Sequence, residues 1–316
     1  FIKSYVKKEN IIVYDEHYIH TWPKHPYDYL VKIIKDKQWD KLSIGLEMDA
    51  HYFTAFCYEK IKQGLPNAKI KDSDRLVNWA RLVKSDAEIA YMKSAAKISE
   101  IGMKTAFNVI KPGVRQCDAI GEIQKALFYG TPEFGGEYSS IATLLPTGKG
   151  TSASHLTATQ DKFVEGEATI VELSGVYKRY HAPMARTVLL GKPDQLKIDT
   201  MKKTIEALEA GIDATKPGNT VDDVAQAFWK ILDKYGIEKT SRTGYSIGIG
   251  YPPDWGEHTL NIYKGDMTPL KPNICFHMIA VMQFGDWGVE ASEAVRVIDK
   301  GAELFCNMPK ELHVKS

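Results

Sequence analysis

Five side chains in this 316-residue chain have types and settings that could do chemistry near neutral pH: His155, Glu172, His181, Tyr245 and Glu290. His155 sits in the small-residue loop TGKGTSASHLTATQ. Imidazole titrates near neutrality and can give or take a proton there, although a loop histidine is often only solvated. Glu172 interrupts the apolar strand ATIVELSG. It either points outward from a half-buried strand or points inward, where burial demands a cationic partner or a raised pKa. His181 and Arg186 follow in YHAPMART, Arg186 reading most simply as a structural ion-pair partner. Tyr245 lies in TGYSIGIG, whose glycines let backbone and ligand approach closely. Glu290 alternates with apolar neighbours in WGVEASEAV, so its plain reading is a solvent-facing strand residue.

The elements that must position these residues fall into two parts. Up to about residue 80, short apolar runs alternate with helical ones: NIIVYDE and KLSIGLEMD as strands, YDYLVKIIKDKQWD and HYFTAFCYEKIKQGLP as helices. Tyr29, Leu30, Ile33 and Ile34 form the expected apolar stripe of the first helix. From Ser85 a longer helix runs to about Val109 and stops at Lys111-Pro112-Gly113, followed by the helix CDAIGEIQKALFYG. The same phrase returns at Lys216-Pro217-Gly218, between KIDTMKKTIEALEAGIDAT and VDDVAQAFWKILDKYG. Two such phrases in matching contexts, each followed by strand-rich sequence, predict an internal duplication. The fold class is therefore α/β (α+β): a partial N-terminal domain over 1–83 and a pseudo-two-fold domain over 84–316. Its strands are IATLLP, ATIVELSGVY, PMARTVLLG, YSIGIG, ICFHMIAVMQ and EAVRVID.

Composition excludes several classes. Lys+Arg 41 against Asp+Glu 40 leaves a formal charge of +1 with no long charged run, which argues against a nucleic-acid partner. No apolar run approaches the roughly 20 residues that span a bilayer, so no membrane partner is expected. The four cysteines show no CxxC spacing, making a zinc site or disulfide framework unexpected and a reducing cytoplasm the default. No phosphate-binding GxGxxG or P-loop precedes a helix, and no GxSxG elbow is present. The opening FIKSYV lacks a Met, suggesting that residues precede Phe1.

The order of His-loop, Glu-strand, YHAPMART, GYSIGIG, FHMI and GVEASEAV resembles the pita-bread family of methionine aminopeptidase, aminopeptidase P, prolidase and creatinase. Residues 1 to about 83 resemble part of the creatinase and prolidase N-terminal domain. The metallopeptidases of that family hold two metals with two Asp, one His and two Glu. Anchored on Arg186-Thr187, those positions fall here on Glu172, Pro183, Tyr245, Ile279 and Ser292. Pro and Ile have no donor atom, and divalent metals need several, so the expectation is no metal and no other cofactor. Creatinase, which uses no metal, has its catalytic His at the position of His155. IGLEMDAHYF, LVNWARLVKSDAEIAYM, EFGGEYSSIATLLPTGKGTSASHLT and SIGIGYPPDWGEHTL further resemble the ectoine-hydrolase branch of the family. Ser139 and Ser154 depart from that branch's pattern, which has Pro at both.

The resemblance implies a metal-independent hydrolase that opens a cyclic amidine, with His155, Glu172 and Tyr245 catalytic and Tyr138, His181 and Glu290 binding substrate. It further implies a small-molecule substrate and a homodimer. A carboxylate suits a protonated amidine as two divalent cations do not. The competing readings are creatinase-like hydrolysis of another amidine or guanidine, an Xaa-Pro metallopeptidase, and a non-catalytic binding homologue.

Overall fold

The computed structural model describes residues 6–192 and 194–315. The chain divides into two compact units, Phe1–Val77 and Asn78–Ser316. In the first, helices α1 (Pro26–Asp36) and α2 (Ala55–Gly64) accompany strands β1 (Ser43–Leu46) and β2 (Lys69–Asp72), which pair in parallel. His25 caps α1 and Thr54 caps α2, each side chain accepting from a first-turn N–H. Val31, Ile61 and Leu65 form the core of this unit.

Two expectations fail here. Asn10–Glu16 forms no strand, and Ile12 and Val13 are exposed. The two-stranded sheet gives this stretch no partner ladder, and alternation alone does not hold a strand. The buried stripe of α1 is Tyr27, Val31 and Ile34, while Leu30 faces solvent. The spacing of that triplet carries one helical face across two turns.

A short helix, α3 (Leu76–Ala80), spans the division in sequence. The second unit then repeats one theme. Helices α4 (Asp86–Val109) and α5 (Gln116–Tyr129) are followed by the hairpin β3 (Ala168–Tyr177) and β4 (Tyr180–Leu190). Helices α6 (Gln195–Ala214) and α7 (Val221–Lys234) are followed by β5 (Gly244–Tyr251), β6 (Asp254–Asn261), β7 (Cys275–Phe284) and β8 (Trp287–Ile298). β9 (Gly301–Leu304) and β10 (His313–Lys315) complete the sheet at its edges. Each helix pair turns at its Lys-Pro-Gly, where Gly113 and Gly218 take positive φ of 81° and 95°. Ser85 with Glu88, and Thr220 with Asp223, make reciprocal capping boxes at α4 and α7. The predicted duplication is thus present in the element order. IATLLP is not a strand; it meets β3 through the single bridge Leu144 to Glu172.

The two helix pairs cover one face of the sheet. Val171 and Leu173 of β3 pack with α4 and α5, while Met278, Ala280, Val289 and Ala291 pack with α6 and α7. Period-two alternation therefore sends Glu172, Ile279, Glu290 and Ser292 to the opposite face. Register aligns them further. Glu172 pairs with Ala185, Ala185 with Ser292, and Ser292 with Ile279, one row across four strands.

Arg186 and Thr187 lock that row. The buried Arg186 guanidinium donates to the carbonyls of Ala185, Ser292, Met308 and Pro309 and pairs with Glu293 at 2.5 Å. Thr187 Oγ1 donates to the Glu290 carbonyl and accepts from its N–H. Arg186→Met would strand the Glu293 carboxylate, and breaking a buried pair this way costs about 3–5 kcal/mol. Thermal unfolding should show a melting temperature lower by roughly 10 °C; an unchanged melting temperature would remove Arg186 from the framework.

Candidate active site

A cavity of about 160 Å³ lies on the face of that row away from the helices, lined in part by His155, Glu172, Arg242, Tyr245, Ile279 and Glu290. It is small against the several hundred Å³ typical of drug-sized ligands. The structure thus brings four of the six sequence-selected residues into one pocket. Glu172 and Glu290 are 7% and 6% exposed, so neither is the solvent-facing strand residue of the plain reading.

Burial decides the charge of these carboxyls. It pushes Glu172 up to about 7. It raises Glu290 well above the ordinary carboxylate range, with the nearby Glu172 charge adding and Lys239 opposing. Two acids in one low-dielectric cavity cannot both be ionised cheaply, so the pair keeps a proton near neutrality. The Lys239 ammonium is itself lowered to about 8 by burial and donates to Ser241 Oγ at 2.7 Å.

Behind the carboxyls lies a hydrogen-bonded set built on β5, β6, β7 and β8. Trp255 Nε1 donates to Tyr245 Oη at 2.6 Å. His277 Nδ1 lies 3.2 Å from the same phenol oxygen and 4.0 Å from Glu172 Oε1. His277 Nε2 shares a hydrogen bond of 2.6 Å with Ser292 Oγ. Because Trp255 supplies a donor to Oη, the phenol hydrogen is free to be given onward. Burial, with the Arg242 charge second, lowers His277 to about 3, so the ring is neutral. Burial and then the Glu172 charge raise the Tyr245 phenol well above its usual value, so it acts as a donor rather than a phenolate.

His155 and its neighbours Ala153 and Ser154 add a loop to the cavity lining. This loop leaves the 3-10 turn Gly148–Ser152, and Gln283 Nε2 of β7 donates to Ser154 Oγ at 3.2 Å. His155 takes a positive φ of 64° and is exposed, ready to meet a ligand in the cavity.

His181 and Tyr138 are not in this pocket. His181 is fully buried, its Nε2 accepting from the Ser140 N–H at 3.1 Å, so Nδ1 carries the hydrogen and donates to the Arg179 carbonyl at 3.0 Å. Burial, with the Arg179 charge second, lowers it to about 3. Tyr138 is half exposed, with the Arg179 guanidinium 4.1 Å above its ring. These two side chains hold the Arg179 turn in place. Sequence reasoning missed Arg242 and His277. His277 was findable: it lies two residues before Ile279 on β7, hence on the same face.

The five positions that carry metal ligands in the family's peptidases do not fit a dinuclear metal here. Pro183 and Ile279 offer no donor, Ser292 is bonded to His277, and Tyr245 is bonded to Trp255. Among the described residues no three His, Cys, Asp or Glu side chains are grouped to hold one ion. Nor is any described helix long and apolar enough to cross a membrane.

Comparison with known proteins matches residues 90–299 to metallopeptidase family M24 and residues 3–83 to the creatinase/prolidase N-terminal domain. Ectoine hydrolase of Halomonas elongata is 41% identical over 97% of this chain and 79% of its own length. The uncharacterized hydrolase/peptidase y4tM of Sinorhizobium fredii is 38% identical over 97% of this chain and 78% of its own. The X-Pro aminopeptidase structure from Thermotoga maritima superposes with a TM-score of 0.80 at 21% identity, covering 92% of this chain and 78% of that one. The last likeness establishes the fold alone: a mixed α/β pita-bread domain with a creatinase-like N-terminal domain.

Glu172 holds its proton more firmly when folded than when unfolded. It therefore contributes stability that is complete below the ordinary value of 4.5 and is lost as pH rises through about 7. Glu172→Gln, which mimics the protonated acid, should melt close to wild type near pH 4.5 and above it by pH 8. Melting curves at several pH values that show a constant gap would contradict this assignment.

Proposed function

This chain belongs to metallopeptidase family M24 and is a hydrolase of that family, and from that premise we propose that it opens a cyclic amidine of the ectoine type by hydrolysis, without a metal. The observation that carries the reading is the replacement of the peptidase ligand set by an acid pair and a neutral hydrogen-bonded set around one small cavity. The name of the Halomonas relative supports the substrate class.

A neutral peptide needs a Lewis acid or oxyanion donors because its carbonyl carbon is a weak electrophile. A protonated cyclic amidine already carries its charge on the carbon between two nitrogens. The ionised Glu172 pairs with the amidinium N–H groups through charge-assisted hydrogen bonds. Water adds to the central carbon, and His155 takes its proton as the new C–O bond forms. The Tyr245 phenol donates to the tetrahedral adduct. One ring C–N bond then breaks, His155 returns the proton to the leaving nitrogen, and the ring opens to an N-acetylated diamine. For ectoine the product is N-acetyl-diaminobutyrate. Glu172 can alternatively attack the carbon itself, giving a covalent adduct that water discharges. Glu290, protonated beside Glu172, keeps one negative charge in the pocket and so matches a monocation.

Proton NMR of the chelator-treated protein with ectoine should show the acetyl product accumulating. Glu172→Gln should lower kcat/KM at least about 1000-fold, as loss of the charge partner or nucleophile requires, and His155→Ala by about 100- to 10,000-fold. Because substrate binding needs ionised Glu172, kcat/KM should rise with pH through about 7. Ectoine left intact while a chelator abolishes cleavage of an Xaa-Pro dipeptide would overturn the reading.

A further inference from the structure

We infer that Arg242 is the anion-binding element of this site, taking a carboxylate carried by the substrate and so selecting zwitterionic amidines over simple ones. The inference rests on the amidine reading above and extends it to a part of the substrate that Glu172 does not touch.

Arg242 supplies the only Lys or Arg side chain among the described residues lining the cavity. Its guanidinium lies 4.6 Å from the centre of the Tyr245 ring. That ring is a fixed platform, since Trp255 and His277 both hold its hydroxyl and the His277 ring stands at 83° to it. The base of the arginine is equally fixed. The next residue, Thr243, accepts from the Ile279 N–H at 2.7 Å, and its hydroxyl donates to the Ile279 carbonyl at 2.5 Å. A long side chain on an exposed loop is thus set in one place by its stem and by the face of an aromatic ring.

Its hydrogen-bonding capacity is unspent. Among the described residues Arg242 has no ion-pair or hydrogen-bond partner, although a guanidinium offers five N–H donors in a fork that matches a carboxylate. The nearby acids do not take it: the Asp254 carboxylate, which feels the Arg242 charge, is paired with His258 at 3.2 Å and accepts from the Gly256 N–H, while Glu172 and Glu290 are buried and Arg242 is exposed. The cavity is therefore polarised, acid inside and cation outside. Ile170, Ile279 and Val281, which also line the cavity, offer apolar surface to the hydrocarbon part of a ring. A ligand with a cationic amidine at one end and a carboxylate at the other satisfies all three regions. Lys239 is the rival cation, but its ammonium is bonded to Ser241 and does not line the cavity.

The test compares wild type, Arg242→Ala and Arg242→Lys on two substrates: ectoine, and the same methylated cyclic amidine lacking the carboxylate. Losing a charge-assisted pair should raise KM for ectoine roughly 10- to 100-fold with kcat nearly unchanged. KM for the carboxylate-free ring should be the same in wild type and Arg242→Ala. Arg242→Lys should recover part of the ectoine affinity, a point charge replacing a fork. Equal rises for both substrates would make Arg242 a prop for Tyr245 and overturn the inference. So would an unchanged KM for ectoine, or the same selective loss in Lys239→Met instead. Absence of turnover of either ring by wild type would remove the amidine reading, and this inference with it, and that result is distinct from any selective change in KM.

Discussion

Two carboxyl groups, Glu172 and Glu290, share one small cavity, and among the described residues neither is in an ion pair with a lysine or arginine. The rest of the site follows from that constraint. Both cannot be charged in a low dielectric, so one proton stays with the pair, and a ligand that brings its own positive charge relieves the burial cost of the other. A stable framework is needed to keep such acids in place. Arg186 and Thr187 provide it, binding the backbone of Ser292 and Glu290 from the adjacent strand.

The same sheet positions that serve metal chemistry in related peptidases are kept here in geometry and changed in substance. One row of paired residues still brings Glu172, Ser292 and Ile279 onto a common face. Along it, the neutral His277 links Ser292 to the Tyr245 phenol, and Trp255 holds that phenol from the other side. Where those peptidases set four carboxylates and a histidine, neutral donors and acceptors stand here around one acid pair. This lowers the negative charge of the pocket toward what a single organic cation can match.

Much of this was legible in the sequence because it depends on local rules. The repeated Lys-Pro-Gly announced the two helix pairs, and Ser85 announced the start of one helix. The loop His155, the interrupted strand at Glu172 and the glycine-flanked Tyr245 were each visible as departures from their surroundings, and all three line the cavity. What was not legible depends on contacts distant in sequence. His181 looks as much like a site residue as His155, but its ring is consumed by the backbone of Ser140 and Arg179. Tyr138 is taken by the same arginine. Arg242 gave no signal because its setting is a ring face, not a spacing. The strand expected at Asn10–Glu16 failed for want of a partner, which no local pattern reports.

The chemistry of the site depends on whether the cavity receives an organic cation rather than divalent metal. The most direct measurement is calorimetric titration of the chelator-treated protein with acetamidinium, the simplest methylated amidine cation, beside a titration with Mn²⁺. Amidinium binding should be saturable, accompanied by proton release near pH 7, and abolished in Glu172→Gln. Two Mn²⁺ ions bound per chain, with no amidinium binding, would contradict that expectation.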